Sequence, residues 1–144
     1  MSPTTRVSRD GTVPTQPLRY PFAGPSAVLR AVTQRRGPAV IIFVRGEIDA
    51  SNEVEWNYLV AEIAAAAEFP GPVVVDATDL DFMGCCAFPA LARAAEHCRR
   101  RGVALCLVTQ QPIVARMVAI SGMRWLLGIY STVEIALSRG IKEQ

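Results

Sequence analysis

The chain has 144 residues, 51% apolar and 19% charged, with 15 basic and 13 acidic side chains and a net charge of +2. That balance excludes a disordered polymer, a collagen or mucin-like stalk and a disulfide scaffold, and it gives no bulk electrostatic reason for direct nucleic-acid binding. One domain with its own core is expected, and no apolar run reaches the roughly 18–20 residues of a membrane span.

Residues 1–25 are rich in Ser, Thr, Pro and Gly without periodicity and read as a disordered N-terminal tail. This segment lacks the apolar stretch of a secretory signal, so the protein is expected in the cytoplasm with reduced thiols. The domain is expected over 26–138, with a short C-terminal tail over 139–144.

Ala27 to Thr33 is a first strand candidate. Gly37-Pro38 reads as a hairpin turn, and the β-branched run Ala39 to Val44 as a second strand, apolar on both faces and therefore covered on both. Asp49 or Ser51 is placed to cap a helix whose apolar positions are read as Val54, Tyr58, Ala61 and Ala65, with Leu59 and Ile63 flanking. Phe69-Pro70-Gly71 ends it. Val73-Val74-Val75 is a further buried strand, and Ala77 to Gly84 reads as a connecting loop.

Phe88, Leu91, Ala92, Ala95 and Cys98 then repeat at helical spacing up to about Arg101, with Gly102 as the stop. Val103 to Val108 is a strand. Gln111-Pro112 opens a third helix that closes at Gly122, Trp125 to Ile129 is a short strand, and Ser131 caps a last helix. The resulting order predicts an α/β domain: a mixed, mostly parallel sheet with an initial antiparallel hairpin and about four helices. The loops Gly46 to Ser51, Ala77 to Gly84 and Thr109 to Pro112 gather at the C-terminal ends of the parallel strands, where such folds place their sites.

These loops hold little catalytic equipment. There is no phosphate-cradling glycine loop, no HExxH, no GxSxG and no CxxC. His97, the one histidine, falls off the apolar stripe. Cys85, Cys86, Cys98 and Cys106 lack metal-knuckle spacing, and no metal or cofactor is expected. Asp49, Asp76, Asp79 and Asp81 would suit a magnesium-dependent phosphotransfer site, but the lysine such a site needs is missing, because Lys142 lies at the extreme end. Cys85-Cys86 stand at a loop-to-helix junction, where the helix dipole favours a thiolate. Cys98 and Cys106 read as core residues.

Four stretches in order carry a family resemblance: Gly46-Glu47-Ile48-Asp49, Val73 to Asp76 followed by Leu80-Asp81-Phe82-Met83, Arg100 to Leu105, and Ile120 to Leu137. Together, over about residues 27–138, the chain resembles a STAS domain of the anti-sigma factor antagonist type. The resemblance implies a non-catalytic module that docks onto an anti-sigma factor, often a serine-kinase-like ATPase, and so releases a sigma factor. It places the partner face on Gly46, Glu47 and Asp49 together with Gly84, Cys85, Cys86, Ala87 and Phe88.

The family pattern after Phe-Met is Asp-Ser-Ser-Gly-Leu, with the first serine accepting phosphate. Here it reads Gly84-Cys85-Cys86-Ala87-Phe88, so Cys85 holds the phosphoacceptor position and ordinary serine phosphorylation is not expected there. Cys85, Cys86 and Cys106 are then the candidates for redox sensitivity. An adaptor subunit of another signalling or transporter complex is the alternative, and a thiol enzyme a third reading. The oligomeric state is expected to be a monomer or weak dimer.

Overall fold

A computed structural model describes Gln16–Pro17 and residues 29–142. Six strands form one sheet in sequential order: β1 (Gln16–Pro17), β2 (Arg30–Arg36), β3 (Ala39–Ile48), β4 (Val73–Met83), β5 (Leu105–Val108) and β6 (Leu127–Tyr130). β1 to β3 pair antiparallel, and β3 to β6 pair parallel. The helices are α1 (Glu53–Ala66), α2 (Phe88–Arg100), α3 (Pro112–Ile120) and α4 (Val133–Lys142), with 3-10 turns at Ala50–Asn52 and Cys85–Ala87. The α/β class, the hairpin and the four helices agree with the sequence reading. Of the tail expected at 1–25, Gln16–Pro17 is a short strand along β2; the remainder lies outside the described residues.

Because the parallel strands advance across the sheet in one direction and βαβ crossovers are right-handed, α1, α2 and α3 must share one face. The core follows that rule. Ile42, Val44, Val73, Val75, Leu105 and Leu107 pack with Trp56, Leu59, Leu91, Val114 and Val118. On the other face Ile41, Val74, Cys106 and Val108 pack against Ala136 of α4. Central strands are therefore apolar on both sides, as read.

Four expectations need correction. The stretch 77–83 is strand, not loop. Beyond Asp76, where pairing with β5 ends at Val108, β4 continues against β3 alone through Arg45↔Asp79, Gly46↔Leu80, Glu47↔Phe82 and Ile48↔Met83. Register shifts on either side of Arg45–Gly46 absorb the mismatch, and Gly46 takes φ +104°, a conformation that side chains disfavour.

The buried face of α1 is Trp56, Leu59, Val60 and Ala64, whereas Val54, Tyr58, Ala61 and Ala65 are exposed. The helix is apolar nearly all round, so periodicity alone did not select its inner face. The last helix is capped by Thr132, whose Oγ1 accepts from the Ile135 N–H at 3.2 Å, rather than by Ser131. That helix also runs past 138 to Lys142, with Gly140 buried against Pro72 and Cys106.

Candidate functional site

The site at the C-terminal end of the sheet is built from two chain reversals that are tied to each other. After β3, Asp49 caps the first 3-10 turn, and its Oδ1 accepts from the Ser51 N–H at 2.9 Å and from the Ser51 hydroxyl. Asn52 is buried and closes the turn from inside. Its Oδ1 accepts from the Asp49 N–H at 3.0 Å, and its Nδ2 donates to the Glu47 carbonyl at 2.8 Å. These Ser51 contacts hold the Asp49 carboxyl below the usual carboxylate range, the hydroxyl contributing most.

After β4, the Gly84 N–H donates to the Ile48 carbonyl at 2.8 Å and so joins the second reversal to the first. A Cβ on Gly84 would sit 3.2 Å from that carbonyl oxygen and from the Phe82 ring, so this approach is close enough to favour glycine. The second 3-10 turn follows, and the Trp56 Nε1–H of α1 donates to the Ala87 carbonyl at 2.9 Å in the core. The third reversal is attached as well, through a 2.9 Å bond from Gln111 Nε2 to the Leu80 carbonyl.

Gly46, Glu47, Asp49, Gly84, Cys85 and Cys86 thus stand around one joined pair of reversals, with Glu47 and Cys85 exposed. Ala87 and Phe88 belong to the same turn, but both side chains are buried, because Trp56 draws that segment into the core. They support the face from beneath instead of presenting side chains on it. The sequence reading used Phe82 for the resemblance but left it off the partner face; it stands 52% exposed at the end of β4 beside Gly84. Its signal was available, since Phe82 follows Leu80 and Asp81 in a pattern that turns only Leu80 and Met83 inward. Asn52 was also missed, being one of many polar residues near a helix start.

The thiols differ. Burial raises the Cys86 pKa, and Glu53 and Cys85 beside it act in the same direction. The thiolate expected from the helix dipole is therefore disfavoured at Cys86. Cys98 is buried in the core and its pKa is pushed up to about 11. Cys106 pairs with Val74, nine residues before Met83, which puts it roughly 30 Å along the strand from the Cys85 turn at ~3.3 Å per residue. It is also buried on the α4 face, far beyond the ~7 Å that a disulfide spans.

His97 is exposed, and it lies twelve residues beyond Cys85, roughly 18 Å along the helix axis. The carboxylates are engaged separately: Asp49 with Ser51, Asp76 with Thr78, and Asp79 at 3.9 Å from Arg45. Among the described residues no group of three His, Cys, Asp or Glu side chains could hold a metal ion. None of the described helices is long and apolar enough to cross a membrane.

A sequential mixed sheet carrying three crossover helices on one face and a lone C-terminal helix on the other defines a small α/β domain whose distinctive surface is the pair of joined reversals. Residues 30–136 match the STAS domain family, and the chain belongs to it. It is 50% identical over 123 residues to Rv2638 of Mycobacterium tuberculosis, which carries a provisional name as an anti-anti-sigma factor, covering 85% of this chain and 83% of that one. It is also 50% identical over 113 residues to the anti-sigma-F factor antagonist RsfA of the same species, covering 78% and 88%. In fold it is similar to the crystal structure of an anti-sigma factor antagonist from Mycobacterium paratuberculosis, with a TM-score of 0.69, 19% identity, and coverage of 83% of this chain and 98% of that one.

Proposed function

We propose that this chain is an anti-sigma factor antagonist that acts in the cytoplasm, binding an anti-sigma factor and thereby releasing a sigma factor. The observation that carries this reading is the 50% identity, across most of both chains, to a relative named for that activity. The geometry is compatible with it. Two reversals locked by the Gly84–Ile48 and Asn52–Glu47 bonds give a pre-ordered face, and a pre-ordered face loses little entropy on docking. In this reading the partner contacts Glu47, Phe82, Cys85 and the exposed Pro89 and Arg93 of α2, while Gly46, Asp49, Gly84, Cys86, Ala87 and Phe88 hold that surface in shape.

The partner is a kinase-like ATPase, and it leaves this antagonist unphosphorylated at the usual place, because a cysteine thiol replaces the hydroxyl there. Oxidation then takes the place of phosphate as the local covalent change. Cys85 is exposed, Cys86 adjoins it, and a modification on either would distort the turn that Trp56 anchors.

Titrating the full chain into a complex of the cognate anti-sigma factor with its sigma factor tests the reading, with released sigma factor as the signal. Wild type should displace sigma factor stoichiometrically. Cys85→Glu, which sets a charge on the docking face, should weaken displacement at least about tenfold, the equivalent of ~1.4 kcal/mol. No displacement by wild type would overturn the function. Adding ATP should give no phosphopeptide over residues 84–88, and a stoichiometric one would overturn the regulatory part.

A further inference from the structure

The opposite end of the sheet has a concave surface of its own. Phe69 precedes β4, Gly102-Val103-Ala104 precedes β5 and Trp125-Leu126 precedes β6, so all three connections meet at the N-terminal ends of the parallel strands. Between them lies a groove of about 410 Å³ walled by Phe69, Ala95, Arg99, Val103, Trp125 and Leu126. Phe69 is 71% and Trp125 68% exposed. Two aromatic rings left in water on the rim of a groove with a mixed apolar and polar lining are the kind of surface that an aromatic anchor covers.

The rim is basic. The Arg99 guanidinium lies 5.1 Å from the centre of the Trp125 ring, with Arg100 and Arg124 exposed beside these two in sequence, whereas Arg101 is turned to the Ala64 and Ala65 carbonyls and Glu68 adjoins Phe69. Glu96 is shared between Arg99 at 3.6 Å and Arg100 at 3.5 Å, which leaves the arginines in excess.

The complement stands at the other end of the same molecule. Phe82 projects from the end of β4, flanked by the exposed carboxylates Glu47, Asp79 and Asp81, with Arg45 already engaged by Asp79. β4 is eleven residues long, roughly 35 Å at ~3.3 Å per residue, so Phe82 cannot reach the groove of its own chain.

We propose that copies of this chain associate head to tail, Phe82 of one copy seated between Phe69 and Trp125 of the next, with Glu47 and Asp81 against the arginine rim. Such a contact is heterologous: each added copy presents a fresh knob and a fresh groove, so the series grows beyond two copies and ends only where the rotation between copies closes a ring. Its attraction rests partly on charge and weakens with salt.

Sedimentation velocity on the full chain, at about 20 mM and about 500 mM salt, tests this. The weight-average mass should rise with protein concentration at low salt and return towards the monomer at high salt. Trp125→Ala and Phe82→Ala should each remain monomeric where wild type associates. An equimolar mixture of the two, one supplying the knob and the other the groove, should regain a species of two chains and nothing larger. Arg99→Glu and Asp81→Arg give a second series, in which each single variant loses association and the doubly reversed chain recovers it. Thermal melts monitored by circular dichroism check that every variant is folded. A wild type whose mass does not change with concentration, single variants that associate as wild type does, or a mixture that stays monomeric would overturn the proposal.

Discussion

Asn52 has a side chain that bonds twice to the chain at the end of β3, so its loss leaves two backbone groups unpaired at once, the Asp49 N–H and the Glu47 carbonyl. Asn52→Ala should cost about 2–3 kcal/mol in urea unfolding, the penalty of leaving buried polar groups unpaired. Trp56→Phe keeps most of the apolar bulk but removes the donor to Ala87, and should cost about 1–3 kcal/mol. It should also speed thiol labelling at Cys85 and Cys86 by loosening their turn, an effect that a general loss of stability would share with Cys98.

Labelling of the native protein with a thiol reagent near pH 8 should reach Cys85 first and Cys86 slowly, with Cys98 and Cys106 labelled only on unfolding. Because the Cys98 pKa is raised, its contribution to stability is complete below the ordinary thiol value and is lost as the pH climbs towards about 11. Asp49 runs the other way. Its pKa is lowered, so its contribution is complete above the ordinary carboxylate value and disappears as the pH falls through the folded value. Stability curves of wild type and Asp49→Asn should therefore converge in acid and separate towards neutrality.

At the level of elements, α1 offers a direct check of which face is inside. Val54→Lys should change stability by no more than ~0.5 kcal/mol, whereas Leu59→Ala should cost about 2–5 kcal/mol. The helical spacing of Val54, Tyr58, Ala61 and Ala65, with Leu59 only flanking, would make Val54→Lys the costlier change; urea titration of the two variants decides. Gly102 ends α2 at φ +76°, and Gly102→Ala should cost about 1–2 kcal/mol, since side chains resist that conformation.

The α2 stripe was legible because its polar residues Arg93, Glu96 and His97 mark an outside; α1 lacks such a contrast over much of its length. The extension of β4 was hidden for a related reason. Thr78, Asp79 and Asp81 look like loop residues, yet they fall between buried Ala77, Leu80 and Met83 along a strand held on one side only. Local composition reports solvent exposure, and an edge-like strand segment is exposed without being a turn.

Across the whole molecule, topology was readable because strands alternate with helices, and the handedness of crossovers leaves one arrangement. The proposed partner face was readable only through resemblance. Its side chains are ordinary ones, and what distinguishes them is the backbone bonds that join reversals about 35 residues apart, which no local pattern records. Net charge gave no hint that the carboxylates around Phe82 and the arginines around the Phe69–Trp125 groove lie at opposite poles, because they nearly cancel in the total of +2. That separation of sign is what makes salt dependence the telling variable for self-association, while displacement of sigma factor at high salt, where the copies are apart, reports on the proposed partner face that shares Phe82 and Glu47 with it.

The protein has two tryptophans, and they report on different places. Trp56 is buried with its indole N–H on the carbonyl of the Cys85–Ala87 turn, and Trp125 stands in water under Arg99. Their emission should accordingly be separable, Trp56 blue-shifted and shielded from iodide, Trp125 red-shifted and quenched by it. In Trp125→Phe the remaining fluorescence becomes an optical probe of the turn alone, readable without any label. Oxidation of Cys85 or arrival of a partner would register there as a spectral shift, and in Trp56→Phe the loss of iodide quenching would follow the far pole instead.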